Sequence, residues 1–188
     1  MLIGITGSSG SGKSYVSNFL KNKLNAEIIN FDEISHQVVD SKEYELFVKE
    51  NISTEVFENN KINRKKLGTI VWTNPEKLSL INKFAEEKMI KIIDKKLQKL
   101  SKKHVILDYA LLPLMKYFKI CDFLILVVAN QNTRFQRAQK RENVTLEYFQ
   151  ARENTLPRFE DFEYDFVFEN EKQNNPETIL EKIKEKLC

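Results

Sequence analysis

The sequence predicts an α/β domain, built as a five-stranded, mostly parallel sheet with helices on both faces. Three observations predict it. Short apolar runs over 2–6, 104–107 and 123–129 have the composition of strands buried on both faces. Amphipathic helical stretches alternate with them, as a parallel sheet requires. The first run also ends in a glycine-rich turn that leads directly into a helix.

Taken in order, the strand at 2–6 precedes a helix over 13–24, with Val16, Phe19, Leu20 and Leu24 on its inner face. A second strand follows at 27–30. Residues 33–50 read as helix with a break near Ser41, which can cap the second piece. Residues 51–63 carry the weakest pattern and read as a loop. A short helix spans 64–72. Asn74-Pro75 then gives an N-cap followed by proline at the first helical position, opening a long helix to about 100. Ile81, Phe84, Ile92, Leu97 and Leu100 form its apolar face, with Ile93 beside it. After the strand ending at Asp108 and the central strand at 123–129, helices are expected at 132–141 and 145–154 and a last strand at 165–168. Asn175-Pro176 repeats the cap signal before a closing helix whose apolar positions are Ile179, Leu180, Ile183 and Leu187.

The chain has 188 residues, enough for one domain with a lid or small insertion. Cys121 and Cys188 form no CxxC pair, so neither a disulfide framework nor a cysteine-based zinc site is expected, and a reducing cytoplasm is the natural setting. No apolar stretch is long enough for a membrane-spanning helix, and the N-terminus lacks a signal-peptide pattern. The net charge of +3 is too mild to indicate nucleic-acid binding, and aromatics do not interleave the basic residues outside 133–158. Of the thirty basic residues six are arginine, and five of those lie together: Arg134, Arg137, Arg141, Arg152 and Arg158. Arginine's planar fork grips phosphate oxygens in pairs. The alternative for this cluster is surface ion pairing with Glu142, Glu147 and Glu153.

Gly7-Ser8-Ser9-Gly10-Ser11-Gly12-Lys13-Ser14 fits G-x-x-x-x-G-K-[ST] at every fixed position, between a strand and a helix. The motif predicts a P-loop NTPase fold. Its glycines allow successive N–H groups to face an anion, and the helix N-terminus adds positive potential. Lys13 reaches the β- and γ-phosphates of ATP, and the Ser14 hydroxyl coordinates Mg²⁺. No N-K-x-D guanine-reading motif is present, nor an apolar run ending in Asp-Glu. With the short length, these absences favour a small-molecule kinase over a switch GTPase or motor. Such a kinase needs an acid beside the γ-phosphate. Asp32, just after the second strand, fits that role, or that of a helix N-cap. Asp108 ends the third strand at the same edge. It is a candidate to hold Mg²⁺ through water or to orient the acceptor, or else a strand-end turn residue. His36 and His104 read as structural, with His36 near enough to Asp32 in sequence to touch an acceptor.

These residues resemble the dephospho-coenzyme A kinase family over nearly the whole chain. Ile3-Gly4-Ile5-Thr6-Gly7 through Ser14 looks like its opening, and Asn30-Phe31-Asp32-Glu33-Ile34 looks like its D-A-D-E-I segment. Ile62 to Leu67 is similar to L-x-R-x-x-L, and Trp72 to Glu76 to F-x-x-P-E. Val105 to Leu112 resembles V-x-L-D-x-P-L-L. Arg137 through Arg141 with Val144-Thr145 resembles the lid, and Val167-Phe168-Glu169-Asn170 the V-I-D-N near the adenine. The chain departs from the family at Glu86-Glu87, where His-Pro is usual, and in Gly7-Ser8-Ser9. Further departures are Asn30, Ala110 and Leu114.

The resemblance implies phosphorylation of the ribose 3′-hydroxyl of dephospho-CoA with ATP and Mg²⁺, the last step of coenzyme A synthesis. A nucleoside or nucleotide kinase of the same fold, or a nucleotide-switched regulatory protein, are the alternatives. It implies a core of 1–34, 101–132 and 159–188, a helical acceptor-binding region over 35–100 and a lid over 133–158. Asp32, Lys13, Arg137 and Arg141 are the expected catalytic residues. Residues 7–14 with Tyr15 and Asn170 would bind ATP, Ser14 the metal, and Asp32, Arg64, Asp108 and Leu111 the acceptor. A cytoplasmic monomer or weak homo-oligomer is expected, acting on a small molecule and not on nucleic acid or membrane.

Overall fold

The computed structural model describes residues 1–59, 61–100, 103–171 and 174–187. The chain divides into two compact units, one of Met1–Asn30 with Leu100–Cys188 and the other of Phe31–Lys99. Cys188 lies outside the described residues, so the expectation for it goes no further.

The first unit holds the sheet. Its strands are β1 (Leu2–Thr6), β2 (Glu27–Asn30), β5 (Val105–Asp108), β6 (Phe123–Val128) and β7 (Phe166–Glu169), in the order β2-β5-β1-β6-β7 and all parallel. β5 is buried throughout, β1 is nearly so, and β6 is mostly buried, as their unbroken apolar composition requires. β7 at the edge exposes Val167. Helices α1 (Lys13–Leu24) and α8 (Glu177–Leu187) contribute Val16, Leu20, Ile179, Leu180 and Ile183 to a core with Ile3, Ile5, Ile125 and Val127. On α1, Val16 and Leu20 are fully buried and Phe19 and Leu24 pack half-buried against the same core, as expected, and Ser17 is buried among them. Register aligns Asn30, Asp108, Ile5, Ile125 and Phe166 in one row across the sheet, near its carboxyl edge.

Two further helices belong to this unit. Asn130 caps α6 (Gln131–Glu142), its side chain accepting from Thr133 N–H at 2.8 Å, and Thr145 caps α7 (Leu146–Glu153). Two short 3₁₀ turns, Leu112–Leu114 and Lys116–Ile120, lie between β5 and β6, a segment the sequence pattern left unassigned.

The second unit comprises α2 (Phe31–Val39), α3 (Lys42–Asn51), the hairpin β3 (Phe57–Glu58) with β4 (Lys61–Ile62), α4 (Arg64–Trp72) and α5 (Pro75–Lys99). Ser41 caps α3 as expected, accepting from Tyr44 N–H. The hairpin replaces the expected loop; strands of two residues carry no readable alternation. On α5 the buried positions are Ile81, Met89 and Ile93, a stripe at helical spacing. Ile92 is only half-buried and Leu100 lies beyond the helix end, which corrects the expected face. Phe84 instead stacks on Phe47, with ring centroids 4.0 Å apart. Among the described residues no helix is long and apolar enough to cross a membrane.

Ile125 is fully buried at the middle of β6. Ile125→Ala should destabilise the protein by about 2–5 kcal/mol, read as a lowered urea midpoint. An unchanged midpoint would contradict this account of the core.

Candidate active site

The turn from β1 to α1 is a glycine-built loop. Gly10 has φ of 75° and Gly12 of 100°, backbone that side chains rarely adopt. There is also no room for a side chain. A Cβ on Gly10 would lie 2.3 Å from the Arg134 carbonyl oxygen, and one on Gly12 would lie 1.9 Å from Asn170 Nδ2. Gly12 caps α1 with no side-chain hydrogen bond, so the positive end of the helix is left to an anion.

Two residues from the far side of the sheet hold the loop. Asn170 Nδ2 donates to the Ser11 carbonyl at 2.7 Å. Arg137 Nη1 donates to the Gly10 and Ser11 carbonyls, each at 3.3 Å, while Nη2 donates to the Asn170 carbonyl at 3.0 Å. The Ser11 N–H turns inward and donates to the Ser8 carbonyl at 3.2 Å. Lys13 Nζ folds back over the loop, donating to the Gly7 and Ser8 carbonyls at 2.9 and 3.2 Å. Ser9 Oγ and Ser11 Oγ are buried with no hydrogen-bond partner among the described residues. Such hydroxyls suit an acceptor-rich ligand such as phosphate.

Beside the loop lies a cavity of about 400 Å³ lined by Gly12, Tyr15, Arg137, Asn170, Glu171 and Asn174. Another, of about 630 Å³, is lined by Thr133, Gln136, Arg137, Lys140, Glu169 and Glu171, among others. Tyr15 is exposed on the first of these. Gln136, Lys140, Glu171 and Asn174 were not anticipated from sequence. The rule that α/β sites gather at strand carboxyl ends could have flagged Glu171 and Asn174, which follow β7.

The arginine cluster separates into two uses. Arg137 alone among the five reaches the loop through its side chain. Arg134 pairs with Glu153 and lies over the Phe149 ring. Arg141 and Arg152 both pair with Glu142, and Arg158 with Glu160. For Arg141, Arg152 and Arg158 the surface-pairing alternative describes the geometry, whereas the Arg134–Glu153 pair is largely buried and Arg134 Nε also donates to the Ala129 carbonyl. Arg141, expected at the phosphates, is 59% exposed and points to its own neighbour Glu142.

Asp108 is buried at the end of β5, and its Oδ2 accepts from Ser17 Oγ at 2.7 Å. The chain after it is tied to β1, with Tyr109 N–H donating to the Ile5 carbonyl at 3.1 Å and Thr6 Oγ1 to the Ala110 carbonyl at 3.0 Å. Leu111 is half-buried and precedes the first 3₁₀ turn. Burial pushes the Cys121 thiol up to about 12, so it stays protonated at neutral pH and supplies no nucleophile.

In the second unit Asp32 is exposed in the first turn of α2, which begins at Phe31; it therefore lies within the helix and not ahead of it as a cap. His36 and Asp40 continue the same exposed stripe at intervals of four, with Phe31, Ile34 and Val38 buried opposite. Arg64 Nη2 pairs with Asp40 at 2.5 Å on the surface of that unit. Glu86 and Glu87 are exposed on α5.

A family model described as Dephospho-CoA kinase matches residues 1–174. A dephospho-CoA kinase of Lactobacillus acidophilus is 30% identical over 200 residues, covering 98% of each chain. A solved structure from Thermus thermophilus superposes with a TM-score of 0.84 at 24% identity, covering 100% of this chain and 98% of that one. A dephospho-CoA kinase structure from Campylobacter jejuni gives 0.68 at 23% identity, with the same coverage.

Gly12→Ala adds a Cβ into Asn170 at a positive φ, so its affinity for ATP should fall at least about tenfold, in line with a left-handed penalty of about 1–2 kcal/mol. Calorimetric titration checks this. Wild-type affinity would show that the loop does not hold nucleotide in this conformation.

Proposed function

The chain belongs to the dephospho-CoA kinase family, and on that premise we propose how its residues carry ATP-dependent phosphorylation of the ribose 3′-hydroxyl of dephospho-CoA. The observation that carries the reading is the glycine loop with its Gly10 and Ser11 carbonyls tied back. A trans peptide held by its oxygen turns its N–H the other way, so the tie on the Ser11 carbonyl turns the Gly12 N–H toward a triphosphate, while the Ser11 N–H is taken by Ser8. The cavities beside Arg137 and Asn170 receive the nucleoside end of ATP.

Ser14 would hold Mg²⁺, with Asp108 reaching it through water. Hard oxygen donors of this kind suit it, and it ordinarily takes few protein ligands when phosphates supply the rest. When bound it neutralises charge on the β- and γ-phosphates. Lys13 places its ammonium against the same oxygens. Arg137 braces the loop, and its fork meets the transferring group only if it leaves the Gly10, Ser11 and Asn170 carbonyls. Asp32 orients the acceptor hydroxyl and takes its proton. The acceptor oxygen then bonds to the γ-phosphorus, the bond to the β–γ bridging oxygen breaks, and ADP leaves. Little covalent work falls to the protein, and positioning and charge neutralisation supply the rate. Residues 35–100 serve the acceptor, with Arg64 and Leu111 among its contacts, and residues 133–158 exclude water as a lid. Arg141 acts, on this reading, only if it leaves Glu142.

An acceptor panel tests the proposal. With ATP and Mg²⁺, dephospho-CoA should gain one phosphate by mass, while uridine, cytidine and nucleoside monophosphates should not. Phosphorylation of the nucleosides instead would overturn it. Lys13→Ala should abolish turnover, and Asp32→Asn should lower kcat by roughly 10²–10⁴, the range of a general base. Wild-type kcat in Asp32→Asn would remove Asp32 from the proton transfer.

A further inference from the structure

The buried polar side chains of the sheet unit include one, Ser17, that the reaction does not yet use. Ser17 is 1% exposed and Asp108 4% exposed, and they are joined by the 2.7 Å hydrogen bond from Oγ to Oδ2. Ser17 sits between Val16 and Leu20 on the buried side of α1, and β5 is buried along its whole length. A serine at such a position weakens the apolar packing unless its hydroxyl has a task.

Three constraints converge on the carboxylate. Its backbone is fixed by pairing with Asn30 on one side and Ile5 on the other. The next residue donates to the Ile5 carbonyl. The Ser17 hydroxyl then adds a side-chain tie to Oδ2. Ser17 stands three residues beyond Ser14 on α1, and side chains at that spacing are neighbours along a helix. One helix therefore presents two hydroxyls in register, Ser14 exposed at its N-terminus and Ser17 buried behind it.

We propose that Ser17 is a positioning residue for the metal–triphosphate end of the site. Its hydroxyl donates to Asp108 and helps to set the orientation of that carboxylate relative to Ser14. The inference rests on the reading of Asp108 as a partner of Mg²⁺. Partners that orient a ligating carboxylate typically change metal affinity or activity about 10–100-fold when removed.

The test is calorimetric binding of a non-hydrolysable ATP analogue across a Mg²⁺ titration, with kcat and thermal midpoint measured alongside. Ser17→Ala should raise the Mg²⁺ concentration for half-maximal binding about tenfold or more and lower kcat, with the KM for dephospho-CoA unchanged. Ser17→Thr, which keeps the hydroxyl, should stay near wild type. Ser17→Cys fills the same space with a weak donor and should behave as Ser17→Ala, so it serves if the alanine variant does not fold. Asp108→Asn keeps an acceptor for Ser17 but loses the charge, and should shift the Mg²⁺ midpoint at least as far. If Asp108→Asn shifts the midpoint and Ser17→Ala and Ser17→Cys do not, Ser17 is only structural and this proposal fails while the reading of Asp108 stands. If Asp108→Asn leaves the midpoint unchanged, the reading of Asp108 fails and takes this proposal with it.

Discussion

The carbonyls of Gly10 and Ser11 are tied to Arg137 and Asn170, and that attachment governs what the site can bind. A loop left to itself would turn these strong acceptors in any direction, including toward the ligand, where they would repel phosphate. Held by Arg137 and Asn170, these two carbonyls are already hydrogen-bonded. The close approach that makes Gly10 and Gly12 obligatory is the same contact seen from the other side: Arg134 and Asn170 occupy the volume that a side chain would need. Conformation and binding surface are thus one constraint.

The sheet makes that constraint rigid. Arg137 and Asn170 follow the carboxyl ends of β6 and β7, and Asp108 ends β5. Parallel pairing along β2, β5, β1, β6 and β7 fixes where each strand ends relative to its neighbours. The row through Asn30, Asp108, Ile5 and Ile125 therefore delivers the loop and the acidic residue at one edge without any flexible link between them. The second unit leaves β2 immediately after Asn30 and carries Asp32 in its first turn, so the candidate base is only two residues beyond that row along the chain.

Much of this was legible from residue order alone. Unbroken apolar runs gave the central strands, and Ser41 and Asn74 declare their helix starts because capping is a local interaction. The loop is legible because its chemistry is carried by consecutive residues. Features that depend on distant partners were not. Arg137 and Arg141 are equivalent in sequence, four apart on one helix, and only packing sends the first to the loop and leaves the second with Glu142. The bond between Ser17 and Asp108 spans 91 positions; its only local trace is a serine on an apolar helix face. The Phe57–Ile62 hairpin is too short to carry a period.

The account turns on amides that face a nucleotide's phosphates. Backbone ¹H–¹⁵N spectra, recorded as a magnesium-loaded ATP analogue is added, test this directly. The account requires the largest shifts at the amides of residues 7–14, with the Asn170 side-chain amide keeping its hydrogen-bonded position. Unchanged loop amides in a protein that binds the analogue elsewhere would contradict it.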